Sequence, residues 1–291
     1  MTISLGKQFR LALEKEKVTQ IVGVINAYAA IMAKEVGFPI LYLSGAGVAN
    51  ASYGLPDLGM TTLDNVLSDV DRILEVTHRP LLVDIDTGWG SHLMIKRTIE
   101  KMEKAGVAAV HIEDQPFEKR CGHRDNKSIV STPEMVGRLK AACDARQDPS
   151  FIIMARTDAY AVEGFDKALE RALLYEEAGA DMHFIEAIPT LDVYKHFTKV
   201  LKRPILANLT EFGKTPLFSL QELESVQVKM ALYPLSAWRA MNLAALNVYQ
   251  EIKKGGTQKR CLQAMQTRED LYQFLQYEAF EKEVDNRQRK T

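Results

Sequence analysis

Short apolar, β-branched runs alternate along this chain with longer amphipathic stretches. The runs fall at 20–26, 40–44, 81–86, 109–113, 151–157, 182–186, 205–208 and 229–233. Each is apolar almost throughout, which marks strands covered on both faces, as in parallel sheets. Helical patterns lie between them at 28–36, 62–77, 92–104, 133–146, 166–177, 191–201 and 220–225. Thr61 or Thr62 is placed to cap the second of these, and Thr132 the fourth, with Pro133 at its first helical position. Ala105-Gly106 and Ala178-Gly179 read as helix stops that feed the next strand. This repeated strand–helix alternation predicts a closed (β/α)8 TIM-type barrel. No Gly-x-Gly-x-x-Gly follows the first run, which argues against a dinucleotide-binding sheet. After the eighth run come further helical patterns at 236–253, 258–266 and 268–286. We read 1–291 as one barrel domain, with 236–291 a helical tail that packs on a neighbouring subunit.

Composition narrows the partners. A net charge of -1 supplies no electrostatic reason to bind nucleic acid or an anionic membrane. No apolar stretch is long enough to span a bilayer, and residues 1–17 lack the apolar centre of a signal peptide. The three cysteines, Cys121, Cys143 and Cys261, form no metal-finger spacing and fit a reducing compartment, so a soluble cytoplasmic protein is expected.

Polar residues collect where the predicted strands end, the rim on which barrels of this type carry their chemistry. Asp84 and Asp86, two apart on one strand, should point the same way, and two like charges there call for a cation between them. With Glu113 and Asp57 they offer hard oxygen ligands for Mg²⁺ or Mn²⁺; capping of helix N-termini is the alternative use of the pair. Ser44-Gly45-Ala46-Gly47 is a small-residue turn whose backbone N–H groups could approach a carboxylate. The polar segment 114–131 is long for a βα loop and reads as a lid. Within it, Cys121 sits among Lys119, Arg120, His123 and Arg124, a setting that should favour the thiolate.

Lys119-Arg120-Cys121-Gly122-His123 resembles the signature of the isocitrate lyase and phosphoenolpyruvate mutase superfamily, and is most similar to that of the 2-methylisocitrate lyases. The resemblance extends through Tyr42-Leu43-Ser44-Gly45, Gly54-Leu55-Pro56-Asp57, Asp84-Ile85-Asp86, His111-Ile112-Glu113-Asp114, Arg156-Thr157-Asp158, Asn208-Leu209-Thr210-Glu211 and Tyr233-Pro234-Leu235-Ser236. It implies a metal held mainly by Asp84 and Asp86, with Asp57 and Glu113 acting directly or through water. It implies substrate contacts from Ser44, Gly45, Ala46, Cys121, Gly122, Arg156, Glu186, Asn208, Leu209, Thr210, Arg239 and Arg268, and a homotetramer with swapped terminal helices. The implied substrate is a small tricarboxylate, cleaved by a retro-aldol-type step to pyruvate and succinate, with Cys121 donating a proton to the succinate enediolate. Tyr42 is the candidate for taking the hydroxyl proton, Asp57 through water its rival, and His123 completes the catalytic set. Ala46, Ile185 and Trp89 depart from the family pattern without touching these groups.

Plain isocitrate lyases, giving glyoxylate and succinate, are the nearest alternative, but they are usually much longer. They also typically carry Trp where this chain has Phe184, which would leave room for an extra methyl. Phosphonate mutases and hydrolases, and oxaloacetate decarboxylases of the same superfamily, usually lack the cysteine loop. A noncatalytic binding barrel would be expected to have lost one of Asp84, Asp86 and Cys121.

Overall fold

The computed structural model describes residues 3–124 and 126–288, so residues 1–2, Asp125 and 289–291 of the predicted domain, lid and tail lie outside the described residues. The strands are β1 (Thr19–Gly23), β2 (Ile40–Leu43), β3 (Leu81–Asp84), β4 (Ala109–Glu113), β5 (Ile152–Thr157), β6 (Met182–Ile185), β7 (Ile205–Asn208) and β8 (Met230–Tyr233). They close in sequence order, and β8 pairs in parallel with β1. Register sets Asp84 beside His111 and Glu113 beside Arg156, so charges distant in sequence become neighbours on the rim.

Several predicted runs overshoot the strands at their C-terminal ends, for a local reason. Asp86 (φ 48°) and Ala187 (φ 60°) adopt the left-handed region and carry the chain off the sheet just beyond β3 and β6. Asp84 and Asp86 therefore do not converge by strand alternation; the turn after β3 brings them together.

The barrel interior is filled by Ile21, Ile40, Leu82, Ile152, Met154, Met182, Leu206 and Met230. Phe9 and Leu13 join that cluster from an N-terminal helix, Leu5–Lys15, which the sequence reading did not assign. Two further apolar layers fill the space between the strands and the outer helices. Thr62 caps its helix in a reciprocal box with Asn65. Ser131, rather than Thr132, caps the helix Thr132–Ala145 by accepting from the Glu134 N–H. Gly106 (φ 87°) and Gly179 (φ 105°) occupy the left-handed conformation that a helix stop requires.

The tail runs through Ser236–Gly255, Lys259–Ala264, Arg268–Phe274 and Tyr277–Gln288, and none of its helices has a buried residue. It touches the barrel through the Tyr28 hydroxyl, 2.8 Å from Gln266 Oε1, and through Phe274, edge-on to the Tyr28 ring. Among the described residues no helix is long and apolar enough to cross a membrane.

Candidate active site

A cavity of about 450 Å³ opens at the C-terminal rim. Ser44, Ala46, Asp84, Cys121, Arg156 and Asn208 line it, as do Tyr42, Asp57, Gly122, His123, Glu186, Thr210 and Arg239. Most of the residues singled out from the sequence thus meet in one place.

One wall is a nest of buried carboxylates. Asp84 accepts from the Gly45 N–H (3.1 Å) and the Asp86 N–H (3.0 Å). A Cβ at Gly45 would lie 3.0 Å from Asp86 Oδ1 and 3.1 Å from Asp84 Oδ2, so a larger residue would push these carboxylates aside by a few tenths of an ångström. This commits the Gly45 N–H to Asp84, so that donor of the small-residue segment is not the open anion contact predicted. The segment is also helical rather than a plain turn, with Gly45–Gly47 running into a wider-wound stretch, Val48–Ser52.

A cation from the chain itself already stands beside the pair of Asp84 and Asp86, namely Lys119. Its buried ammonium lies 2.7 Å from Asp57 Oδ1 and in direct ion-pair contact with Asp86. Burial opposes the charge of Asp84, but His111, Lys119 and Arg156 hold its carboxyl below the usual range. Burial pushes Asp86 up to about 6 despite Lys119, with Asp84 and Asp57 adding to the push. Glu113 is driven well above the usual range by burial, against the attraction of Arg156.

Asp86 Oδ1 and both Glu113 carboxylate oxygens are buried without a hydrogen bond, although each residue has a cation nearby. Lys119 meets Asp86 Oδ1 and Arg156 meets Glu113 Oε2, so what fits a divalent cation here is a buried cluster of hard oxygens held by cations and short of well-formed hydrogen bonds. Among the described residues no three His, Cys, Asp or Glu side chains are gathered to hold a metal by themselves. Magnesium does not require such a group, since it takes one or two carboxylates and keeps several waters. Asp84 and Asp86 are the residues that would hold it, with Asp57 and Glu113 placed to act through water.

Arg156 is the hub of the site. Its guanidinium reaches Glu113 (3.2 Å), Asp158 (3.2 Å) and Glu186 (3.4 Å) and lies 5.0 Å from the centre of the Phe184 ring. Glu186 is ionised despite burial because Arg156 and His123 face it. His123 Nδ1 accepts from the Lys214 N–H (3.0 Å), which leaves Nε2 to donate to Glu186 at 3.1 Å. Tyr42 donates to or accepts from His111 at 3.0 Å; burial, then the charge of Asp84, pushes its phenol well up. Burial also lowers His111 to about 4, so it is neutral at pH 7.

The expected thiolate character of Cys121 is not borne out. Burial raises its thiol above the ordinary value, and Asp57 and Glu186 add to that, against the His123 N–H and Arg156. Two of the groups beside it in sequence point elsewhere: the Lys119 ammonium to the carboxylates and the His123 ring to Glu186.

Three predicted contacts do not line the cavity: Leu209, Arg268 and Gly45, whose N–H is taken by Asp84. Leu209 packs in the outer apolar layer. Arg268 lines a separate surface pocket of the tail with Tyr272 and Tyr277. Arg239 stands at the mouth, 45% exposed, with Glu211 at 3.8 Å. Sequence reasoning missed Asn50, Trp238 and Leu235 as cavity wall. Asn50 carried no signal, whereas Leu235 lies in the Tyr233-Pro234-Leu235-Ser236 motif and Trp238 is next to Arg239.

The family model described as phosphoenolpyruvate phosphomutase matches residues 9–253. The chain is 60% identical over 98% of its length to the 2-methylisocitrate lyase of Shewanella oneidensis, covering 98% of that protein. It is 57% identical over 97% of its length to that of Escherichia coli, covering 96% of it. Among solved structures, 2,3-dimethylmalate lyase superposes with a TM-score of 0.90 at 31% identity, over 99% of this chain and 96% of that one. Phosphonopyruvate hydrolase in complex with oxalate and Mg²⁺ superposes with a TM-score of 0.84 at 27% identity, over 96% of this chain and 97% of that one. The barrel, the cysteine loop and these relatives lead to one conclusion: the chain belongs to the phosphoenolpyruvate mutase and isocitrate lyase superfamily and, within it, to the family of the 2-methylisocitrate lyases.

Proposed function

We propose that this protein is a magnesium-dependent carbon–carbon lyase that cleaves 2-methylisocitrate to pyruvate and succinate. The observation that carries this reading is a protonated Cys121 thiol on the wall of a cavity that also holds Arg156 and a nest of carboxylates suited to a divalent cation.

When bound, the metal would polarise the substrate hydroxyl and lower its pKa. The rest falls to the chain. The hydroxyl gives up its proton, its oxygen becomes the pyruvate carbonyl, and the carbon–carbon bond breaks with its electrons on the succinate fragment. Cys121 then donates its proton to that carbon. The raised thiol pKa suits this role, since the group must arrive as an acid. Arg156 and Asn208 lie where negative charge on the departing fragment needs cationic and N–H partners. Tyr42, with its strongly raised phenol, is poorly suited to take the hydroxyl proton, so Asp57 acting through water is the better base on this geometry. Phe184 packs against Arg156 and edge-on to His111 at 5.2 Å and forms the wall beside which an added methyl would sit.

Assembly belongs to the same proposal. The helix Ser236–Gly255 exposes Met241, Leu243, Leu246, Tyr249 and Ile252, and Arg268 does not reach its own rim. A homotetramer with exchanged terminal helices would cover the first and could supply the second.

The test offers 2-methylisocitrate and isocitrate separately with Mg²⁺ and reads pyruvate against glyoxylate. One methyl in a fitted pocket is worth roughly 1–3 kcal/mol, so 2-methylisocitrate should be preferred in kcat/KM by roughly 10–200-fold. Equal specificity constants, or a preference for isocitrate, would overturn the assignment.

A further inference from the structure

Lys127 lies outside every contact set considered so far, yet its side chain is 2% exposed. Its ammonium donates to Asp158 Oδ1 at 2.5 Å and to the backbone carbonyl of Gly122. The first partner stands at the end of β5, immediately after the substrate-facing strand residues. The second is the residue that follows Cys121.

Asp158 is shared. Its Oδ2 receives Arg156 Nε at 3.2 Å, its own N–H is held by Asp114 Oδ1 at 2.9 Å, and it is fully buried. One carboxylate thus bridges the arginine of the cavity and the lysine of the loop. Gly122 is pressed against Glu186 and Arg156, because a Cβ there would lie 2.5 Å from Glu186 Cγ and 2.7 Å from Arg156 Nη2. The loop is fastened at other points: Gln115 bonds both the N–H and the carbonyl of Arg120, and Lys119 meets the metal-site carboxylates. Lys127 is the fastening that joins the Cys121-Gly122 turn to the strand carrying Arg156.

We propose that Lys127 is a positioning residue for the reaction: by tying the Gly122 carbonyl to Asp158 it sets Cys121 over the cavity in register with Arg156. A buried ammonium with charged and carbonyl partners makes strong, short-range hydrogen bonds and is costly to leave unpaired, so the loop closes as a unit with it. Its part in catalysis rests on the lyase reading above; its part in holding the thiol does not.

The test compares wild type with Lys127→Met, Lys127→Arg and Asp158→Asn. Iodoacetamide labelling at Cys121, read by mass spectrometry of its peptide, needs no turnover. Losing the charge-assisted bond should speed labelling of Lys127→Met roughly ten- to hundredfold. Removing a cation would by itself raise the thiol pKa and slow labelling, so acceleration reports opening. Lys127→Arg should restore much of the protection, and Asp158→Asn should match Lys127→Met, which keeps the test open if one variant fails to fold. With 2-methylisocitrate, kcat of Lys127→Met should fall by about 10²-fold, the penalty of a misplaced catalytic group, while directly measured substrate affinity changes little. Unchanged labelling overturns the proposal, including when the melting temperature falls, because that would make Lys127 a structural ion pair only. If wild type fails to turn over 2-methylisocitrate, the lyase reading fails while the labelling series still decides the role of Lys127.

Discussion

At the N-terminal end of the barrel, Phe9 and Leu13 meet Ile21, Ile152, Met182 and Met230 in a dry apolar plug. At the C-terminal end, Asp84, Asp86, Glu113, Lys119, Arg156 and Glu186 are buried together, and several of their oxygens have no hydrogen bond. The first end follows the ordinary logic of burial, in which each apolar side chain removed from water stabilises the fold. The second end runs against it, since buried charges cost desolvation energy that their ion pairs only partly return. The contrast separates what holds the barrel together from what the barrel is for.

That contrast can be broken from either end, beginning with the largest effect. Asp84→Ala should reduce lyase turnover to background and abolish Mg²⁺ binding by calorimetry, with the far-ultraviolet circular dichroism unchanged. Full activity of metal-stripped wild type in chelator would refute the metal assignment itself. Cys121→Ser keeps the side-chain shape but offers a far weaker acid. Its kcat should fall by roughly 10²–10⁴-fold with little change in substrate affinity, and near wild-type kcat would remove the thiol from the chemistry.

From the other end, Phe9→Ala should cost about 3–5 kcal/mol in denaturant unfolding, because it opens a cavity in the plug. Its kcat at a temperature where it remains folded should match wild type, since Phe9 does not line the cavity and only Tyr42, Phe184 and Leu232 of its cluster do. The smallest effect crosses the two regimes. The folded-state pKa of Asp86 is pushed up to about 6 from 3.8, so its ionised form weakens the fold at neutral pH. The sign follows from linkage: with a raised folded pKa, the contribution of Asp86 is most favourable below about 3.8 and is lost as pH rises through about 6. In chelator at pH 7, Asp86→Asn should therefore be more stable by on the order of 2 kcal/mol while losing Mg²⁺ binding. The advantage should shrink between about pH 6 and 3.8, and a variant no more stable than wild type at pH 7 would show that Lys119 fully compensates Asp86.

Much of this was legible before any coordinates. The eight apolar runs map onto the eight strands, and the polar residues at their ends map onto one cavity. Short-range rules succeeded where one element decides: the Thr62 cap and the glycine stops at Gly106 and Gly179 stand as predicted. They failed where a neighbour in sequence is not a neighbour in space. Lys119 and His123 flank Cys121 in the chain, yet their side chains face Asp57, Asp86 and Glu186. The N-terminal helix was missed although Leu5, Phe9 and Leu13 fall at helical spacing behind the Ser4 cap, because the charges between them read as plain alternation; it is docked by Phe9 and Leu13.

The sequence by itself determined the fold class, the rim that carries the chemistry and the family, because strand period, helix stops and a contiguous cysteine motif are all written in local order. Tertiary structure alone decided which charges meet. The closed register of β3, β4 and β5 puts Asp84 beside His111 and Glu113 beside Arg156. The left-handed turn at Asp86 aims that carboxylate back into the nest, and the loop folds Lys119 and Lys127 inward onto opposite partners. Whether a group is ionised depends on burial and on charges brought near through space, and neither is a property of its neighbours in the chain.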